Sequence, residues 1–250
     1  MRVLLLFFIL LTFVWSEKPE TFHRAMSSSP TRLNPLLATD SSSGEITGWI
    51  FNGLIKFDSN GSLAPDLATD WRFEDNRTLL FHLRRGVQWH DGAPFTARDV
   101  KFTYDFMRSD KVVTPYKSDF KYVSAVEVVD SYTVRVRYSQ PYFKALSIWM
   151  MGILPAHLWE KEKDPMRSRL NKLPVGTGPY RMTKPFGINE RIVLEANDHY
   201  YEHPPFIKRQ IYHYIGDPAT EFMMLKAGKL DIGGLSPLQL DRQVGAAFRK

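Results

Sequence analysis

Residues 63–107 read LAPDLATDWRFEDNRTLLFHLRRGVQWHDGAPFTARDVKFTYDFM, and three kinds of local signal follow one another along them without a gap. Thr78 to Leu83 alternates, with Leu79, Phe81 and Leu83 on one side and Leu80, His82 and Arg84 on the other, which predicts a strand with a core-facing side. Arg84-Arg85-Gly86 leaves that strand. Val87 to His90 is a second extended run, and Asp91-Gly92 offers the left-handed position that a tight turn needs. Past Pro94, Thr96 stands three residues before Asp99 as in a capping box, and Val100, Thr103, Tyr104 and Met107 recur at helical spacing. The stretch predicts strand, turn, extended run and capped helix in that order.

On its amino-terminal side, Phe22 to Ser27 is an extended run. Ser42 and Glu45 have capping-box spacing, and Ile46, Trp49 and Ile50 mark the buried face of a helix closing near Gly53. Asp58-Ser59-Asn60-Gly61 is a turn between Leu54–Phe57 and the Leu63 segment. On the carboxyl-terminal side, Ser109 to Lys121 is a polar loop, and Tyr122–Val129 with Thr133–Tyr138 predicts a hairpin across Asp130-Ser131. Pro141 to Met151 is expected to be helical. Its Trp149-Met150-Met151-Gly152 run is assigned to the core, with a place beside a cleft as the alternative. Gly176-Thr177-Gly178-Pro179-Tyr180 lacks the lysine and hydroxyl of a phosphate loop, and its proline removes a donor, so its glycines are given a backbone role. Arg191–Glu195 and Ile207–Ile215 predict strands, Asp217-Pro218 opens a helix that Gly228 closes, Leu230–Ile232 is a short strand, and Ser236-Pro237 starts another helix. Strand, helix, strand predicts a partly parallel α/β sheet.

Composition narrows the function classes. Of 250 residues, 44% are hydrophobic and 24% charged, ordinary for a globular chain with a sizeable core. The net charge of +6 is dispersed rather than clustered, which argues against nucleic acid as a partner. Cysteine is absent, which excludes disulfides, thiol catalysis and thiolate metal sites and predicts no lipid attachment through a cysteine. Arg2 followed by the apolar run Val3–Trp15, stopping at Ser16-Glu17, predicts a cleavable secretory signal over residues 1–16, an uncleaved anchor being the alternative. His199 and His203 are four apart, yet Pro204-Pro205 follows them, so an irregular segment is expected there and no metal site. Neither Gly-x-Ser-x-Gly, His-Glu-x-x-His nor a lysine phosphate loop occurs, which counts against an enzyme; paired carboxylates stay open, because their proximity depends on the fold.

The strand, turn and capped helix of residues 63–107 are followed by PVGTGPYRM (174–182), NERIVLEANDHYY (189–201) and EFMMLKAGKLDI (221–232). That succession resembles the extracellular solute-binding proteins of the dipeptide and oligopeptide class, family 5, which deliver ligands to ATP-driven importers. The resemblance covers about residues 20–250. It implies an α/β fold: a periplasmic-binding-protein-like (type II) lobe with a mixed sheet, plus a smaller α+β domain, the second lobe being missing. By the same resemblance, residues 22–51 and 156–250 form the first lobe and 52–155 the smaller domain. It further implies a periplasmic monomer that holds a short peptide non-covalently, without a cofactor, and passes it to permease subunits of an ABC transporter in the inner membrane.

Carried over by position, Thr39, Asp40 and Ser41 fall on the ligand-contacting loop and Tyr116 on a ligand-facing tyrosine. From the residues alone, Tyr116 beside Pro115 is equally a packing lid. The resemblance also puts the acidic anchor for a peptide amino group on the second lobe, so residues 17–250 alone are expected to bind weakly. The helical pattern from Ser236 stops at Lys250 without a closing signal, which is taken as truncation. Other ligands of this class are nickel chelates, haem and sugars, and the rival classes are a periplasmic hydrolase or chaperone.

Overall fold

A computed structural model of the chain describes residues 20–245, so the predicted signal at 1–16 lies outside the described residues. The chain begins with β1 (Thr21–Met26) and α1 (Ser41–Ile50), then a short hairpin of β2 (Ile55–Phe57) and β3 (Leu63–Pro65). The Asp58 carboxylate closes that hairpin by accepting from the amides of Asn60 and Ser62. Next come β4 (Ala68–Asp75), β5 (Thr78–Leu83), α2 (Ala97–Arg108), β6 (Val123–Asp130) and β7 (Thr133–Tyr138). The rest comprises α3 (Ala156–Trp159), β8 (Tyr180–Arg181), β9 (Ile192–Ala196), β10 (Arg209–Tyr214), α4 (Pro218–Lys226) and α5 (Pro237–Gln243).

Two four-stranded sheets result. One has the order β1-β10-β9-β8, with β1 parallel to β10 and the remaining pairs antiparallel, the mixed sheet that the sequence implied. The other, β4-β5-β7-β6, is antiparallel throughout, with Phe81 of β5 opposite Trp71 on one side and Val134 on the other. Leu79, Phe81, Val134 and Val136 are buried on its inner face, joined to Ile46 and Ile50 of α1 and to Leu194 and Tyr212 of the first sheet in one continuous core. Burying each such side chain contributes roughly 2 kcal/mol. Among the described residues no helix is long and apolar enough to cross a membrane.

The deciding stretch behaves as its local chemistry dictates. Gly92 takes φ 87°, which an L side chain adopts only with strain, and the Gly92 amide closes the turn on the Trp89 carbonyl at 2.8 Å. Thr96 and Asp99 form the capping box of α2, with the Thr96 amide donating to Asp99 Oδ2 at 2.9 Å. The second oxygen of Asp99 accepts from the amide of Ala156 at 2.9 Å, and the Thr103 hydroxyl accepts from Leu154 N at 2.9 Å. One turn of helix therefore caps itself and fastens the returning chain. Burial pushes the Asp99 carboxyl above its ordinary pKa, against the pull of these donors.

Four expectations need correction. The cap of α1 is Asp40 and not Ser42, and Glu45 pairs with Arg24 at 2.7 Å instead of reaching back to the helix start. That helix ends at Ile50, before Gly53. Residues 141–151 are not an α-helix; only Ser147–Met150 forms a short 3-10 turn, and Phe143 is 91% exposed. Donors from outside the segment occupy carbonyls a helix would use: the Tyr138 hydroxyl donates to Ala145 O, and the Leu54 amide to Trp149 O at 2.8 Å. Leu230–Ile232 contributes a single parallel bridge, Arg24 with Ile232, rather than a strand.

Candidate functional site

Helix α1 has two differently treated surfaces. At its carboxyl end, Ile50 O accepts the Gly178 amide at 2.8 Å, and a Cβ on Gly176 would sit 1.8 Å from that same carbonyl oxygen. The glycines of Gly176-Thr177-Gly178 are thus required by close backbone approach, the role their spacing suggested. His90 completes the junction. Its backbone amide donates to Gly176 O at 2.9 Å, its Nδ1 accepts from the Gly176 amide at 3.2 Å, and its Nε2–H donates to Gly178 O at 3.0 Å. This pattern needs the neutral ring, and burial pushes the His90 pKa down to about 4. Beside it the Thr177 hydroxyl donates to Asn52 Oδ1 at 3.0 Å. Asn52 Nδ2 in turn donates to the buried Asp66 carboxylate, which also accepts from Tyr201. Every polar group named at this end has its partner within the chain.

The other surface is open. Ser41, Gly44 and Gly48 follow one exposed face of α1, and a Cβ added to either glycine would meet nothing within 4 Å. Opposite lie Tyr116 and residues 147–152, enclosing a cleft of about 390 Å³. Met150 and Met151, both half-buried, line it together with Phe51, Ile148 and Thr47. Trp149 anchors this wall: it is buried, with its indole N–H donating to the Tyr138 hydroxyl at 2.9 Å and its ring edge-on to Phe81 and Phe120. A larger hollow of about 570 Å³ lies over β9 and β10 between Met182 and Ile211. Its walls carry Glu190 and Glu195 among Arg191, Arg209 and Lys184, and it holds none of the residues the sequence singled out.

Of the sequence-derived candidates, Tyr116 lines the 390 Å³ cleft, whereas Thr39, Asp40 and Ser41 are not among its lining residues. The Tyr116 hydroxyl donates to Ala38 O at 2.6 Å, which puts Tyr116 and the Thr39–Ser41 loop side by side, and the tyrosine lines the cleft. Thr39 and Ser41 are exposed. Asp40 is committed elsewhere: its carboxylate accepts from Thr31 Oγ1 at 2.6 Å, Ser43 Oγ at 2.7 Å and Ser43 N at 2.8 Å. Burial alone would raise this carboxyl, but those donors outweigh it and hold the group below its ordinary pKa. Asp40 thus builds the start of α1. Sequence reasoning missed Gly44, Gly48 and Phe51; Met150 and Met151, given to the core with a cleft as the alternative, pack against the core and line the cleft as well. The four-residue spacing of Gly44 and Gly48 on one helical face was the available signal.

With that geometry in hand, residues 62–247 match the family model described as bacterial extracellular solute-binding proteins, family 5 Middle. Protein XP55 of Streptomyces lividans is 31% identical over 237 residues, covering 94% of this chain and 42% of that protein. Among solved structures, NikZ from Campylobacter jejuni in complex with Ni(L-His) is similar with a TM-score of 0.81 and 32% identity, covering 90% of this chain and 46% of that one. AppA from Bacillus subtilis in complex with a nonapeptide gives a TM-score of 0.78 and 28% identity, covering 85% and 44% respectively. The chain spans less than half the length of each of these proteins.

Proposed function

The chain belongs to the bacterial extracellular solute-binding proteins of family 5, with the partial lobe of a type II periplasmic-binding-protein fold, and from that premise we propose that it binds short peptides for an ABC importer. Binding is non-covalent, in the periplasm, by a monomer that presents its loaded form to the permease subunits of the inner membrane. The observation that carries this reading is the open cleft along α1, where the small-residue helix face, Tyr116 and the Met150–Met151 wall surround unfilled space. Backbone amides and carbonyls are common to all peptides, and a cleft with adaptable methionine walls tolerates varied side chains. Thr39, Ser41 and Tyr116 are the contacts assigned to the ligand, with Asp40 as the cap that positions them.

On the same premise, residues 22–51 and 156–250 are assigned to the first lobe and 52–155 to the smaller domain. Supporting this, β1 and β8–β10 lie outside 52–155 and β2–β7 lie inside it. The likeness to NikZ favours one second reading, a nickel chelate held through its organic ligand. Among the described residues no group of three histidines or carboxylates could hold the ion directly.

Calorimetric titration with a graded set of di- to nonapeptides, and separately with Ni(L-His), distinguishes the two. Saturable peptide binding without chelate binding is expected. Saturable binding of the chelate alone would overturn the peptide reading.

A further inference from the structure

Among the described residues lining the α1 cleft, Asp119 carries the only formal charge, amid Met150, Met151, Ile148, Phe51 and Tyr116. Its backbone is held in place. The Asp119 amide donates to Tyr116 O at 3.1 Å, and the next residue, Phe120, is 2% exposed with its ring 5.4 Å from that of Trp149. The carboxylate itself is at the rim and pairs with Lys144 Nζ at 3.2 Å, the two side chains being 42% and 45% exposed. Lys144 approaches from outside the cleft wall, with its ammonium 5.9 Å from the centre of the exposed Phe143 ring.

An ion pair this exposed is weak and is readily exchanged for another. The Phe143 ring is already within reach of the same ammonium, so Lys144 keeps that partner nearby when the carboxylate is taken by another cation. The cleft wall beneath Asp119 is thioether and hydrocarbon, which suits an unbranched aliphatic stem. Of this pair Asp119 and not Lys144 is among the residues lining the cleft, so the formal charge on the cleft side is the negative one.

Resting on the assignment of this cleft as the ligand site, we propose that Asp119 selects ligands bearing a cation on a linear aliphatic stem. A lysine side chain and an alkylammonium ion both qualify, and such a cation displaces Lys144 from the carboxylate. The rival occupant is a neutral apolar side chain that leaves the Asp119–Lys144 pair intact.

The full chain, Asp119→Asn and Lys144→Ala are titrated with Ala-Lys-Ala and Ala-norleucine-Ala by calorimetry, and with hexylammonium and hexan-1-ol by ligand-observed NMR. Lys144→Ala, in which no existing pair has to be broken, should bind the lysine peptide about fivefold more tightly than its norleucine counterpart. Asp119→Asn should bring that ratio to one, and the unaltered chain, which exchanges one exposed pair for another, should fall between the two. Equal affinities for the two peptides in Lys144→Ala overturn the cation site and leave the peptide reading standing. If no peptide binds but hexylammonium binds in preference to hexan-1-ol, and Asp119→Asn abolishes that preference, the cation site stands and the peptide reading falls. If hexylammonium shows no preference over hexan-1-ol, or neither binds, and no peptide binds, both fall.

Discussion

The two surfaces of α1 differ in how their polar groups are satisfied. At the carboxyl end, Ile50 O, the Gly176 and Gly178 backbones and both His90 ring nitrogens form a closed set of hydrogen bonds with no room for an added methyl group. Along the outer face, Gly44 and Gly48 border open space, and the facing wall carries half-buried methionines, with the Asp119–Lys144 pair exposed at its rim. Backbone contacts are rigid and specify one arrangement; long side chains over a void adapt to several. The junction should therefore answer to mutation with lost stability, and the cleft with altered binding.

The sharpest attempt to break this contrast is Gly176→Ala. A methyl group 1.8 Å from a backbone oxygen cannot be relieved by a rotamer change, so a loss of at least about 3 kcal/mol in denaturant unfolding is expected. A loss below about 1 kcal/mol would mean that the junction is not rigid.

Next in size is a pH effect. The folded-state pKa of His90 lies near 4, below its ordinary value of 6.5, so between these values the unfolded chain binds a proton that the folded chain does not. Stability from this group is complete above about pH 6.5 and is lost as pH falls toward 4, by up to about 3 kcal/mol. Asp66 and Asp99, pushed upward by burial, act with the opposite sign. The measurement is therefore the difference in unfolding free energy between the unaltered chain and His90→Gln from pH 7 to 4, which should shrink as pH falls. A difference that stays constant would remove His90 from the junction.

The smallest effect is expected on the open side. Met151→Ala enlarges a cleft that already meets solvent, so no sealed cavity forms, and a loss of about 1 kcal/mol or less in a thermal melt is expected. A loss comparable to that of Gly176→Ala would erase the distinction.

What the sequence made legible were the features whose partners are close along the chain. The Thr96–Asp99 box, the Asp217-Pro218 helix start with its closing Gly228, the Ser236-Pro237 helix start and the alternation of β7 all appear where they were expected, whereas in β5 Leu80, placed on the side away from the core, is buried as well. The failures involve partners outside the residues that their motifs span. Asp40 prevails over Ser42 as the cap of α1 because Thr31, outside the local motif, fixes its carboxylate. Residues 141–151 lose their helix to hydroxyl and amide donors from Tyr138 and Leu54. His90 was legible only as a turn residue, since its ring partners, Gly176 and Gly178, lie far along the chain. The candidate cleft was partly legible: the family pattern led to Tyr116, which lines it, and to the Thr39–Ser41 loop, which does not, whereas the place of Met150 and Met151 in its wall depends on a tertiary contact and could be offered only as the alternative to the core.

The Asp99 carboxylate serves two masters, the Thr96 amide at the first turn of α2 and the Ala156 amide where the chain comes back. Fraying at that helix start would also unfasten the returning segment where Pro155 leads into α3. Solvent deuterium should accordingly reach both amides through a single opening event, making this carboxylate a common latch for segments that the chain itself keeps far apart.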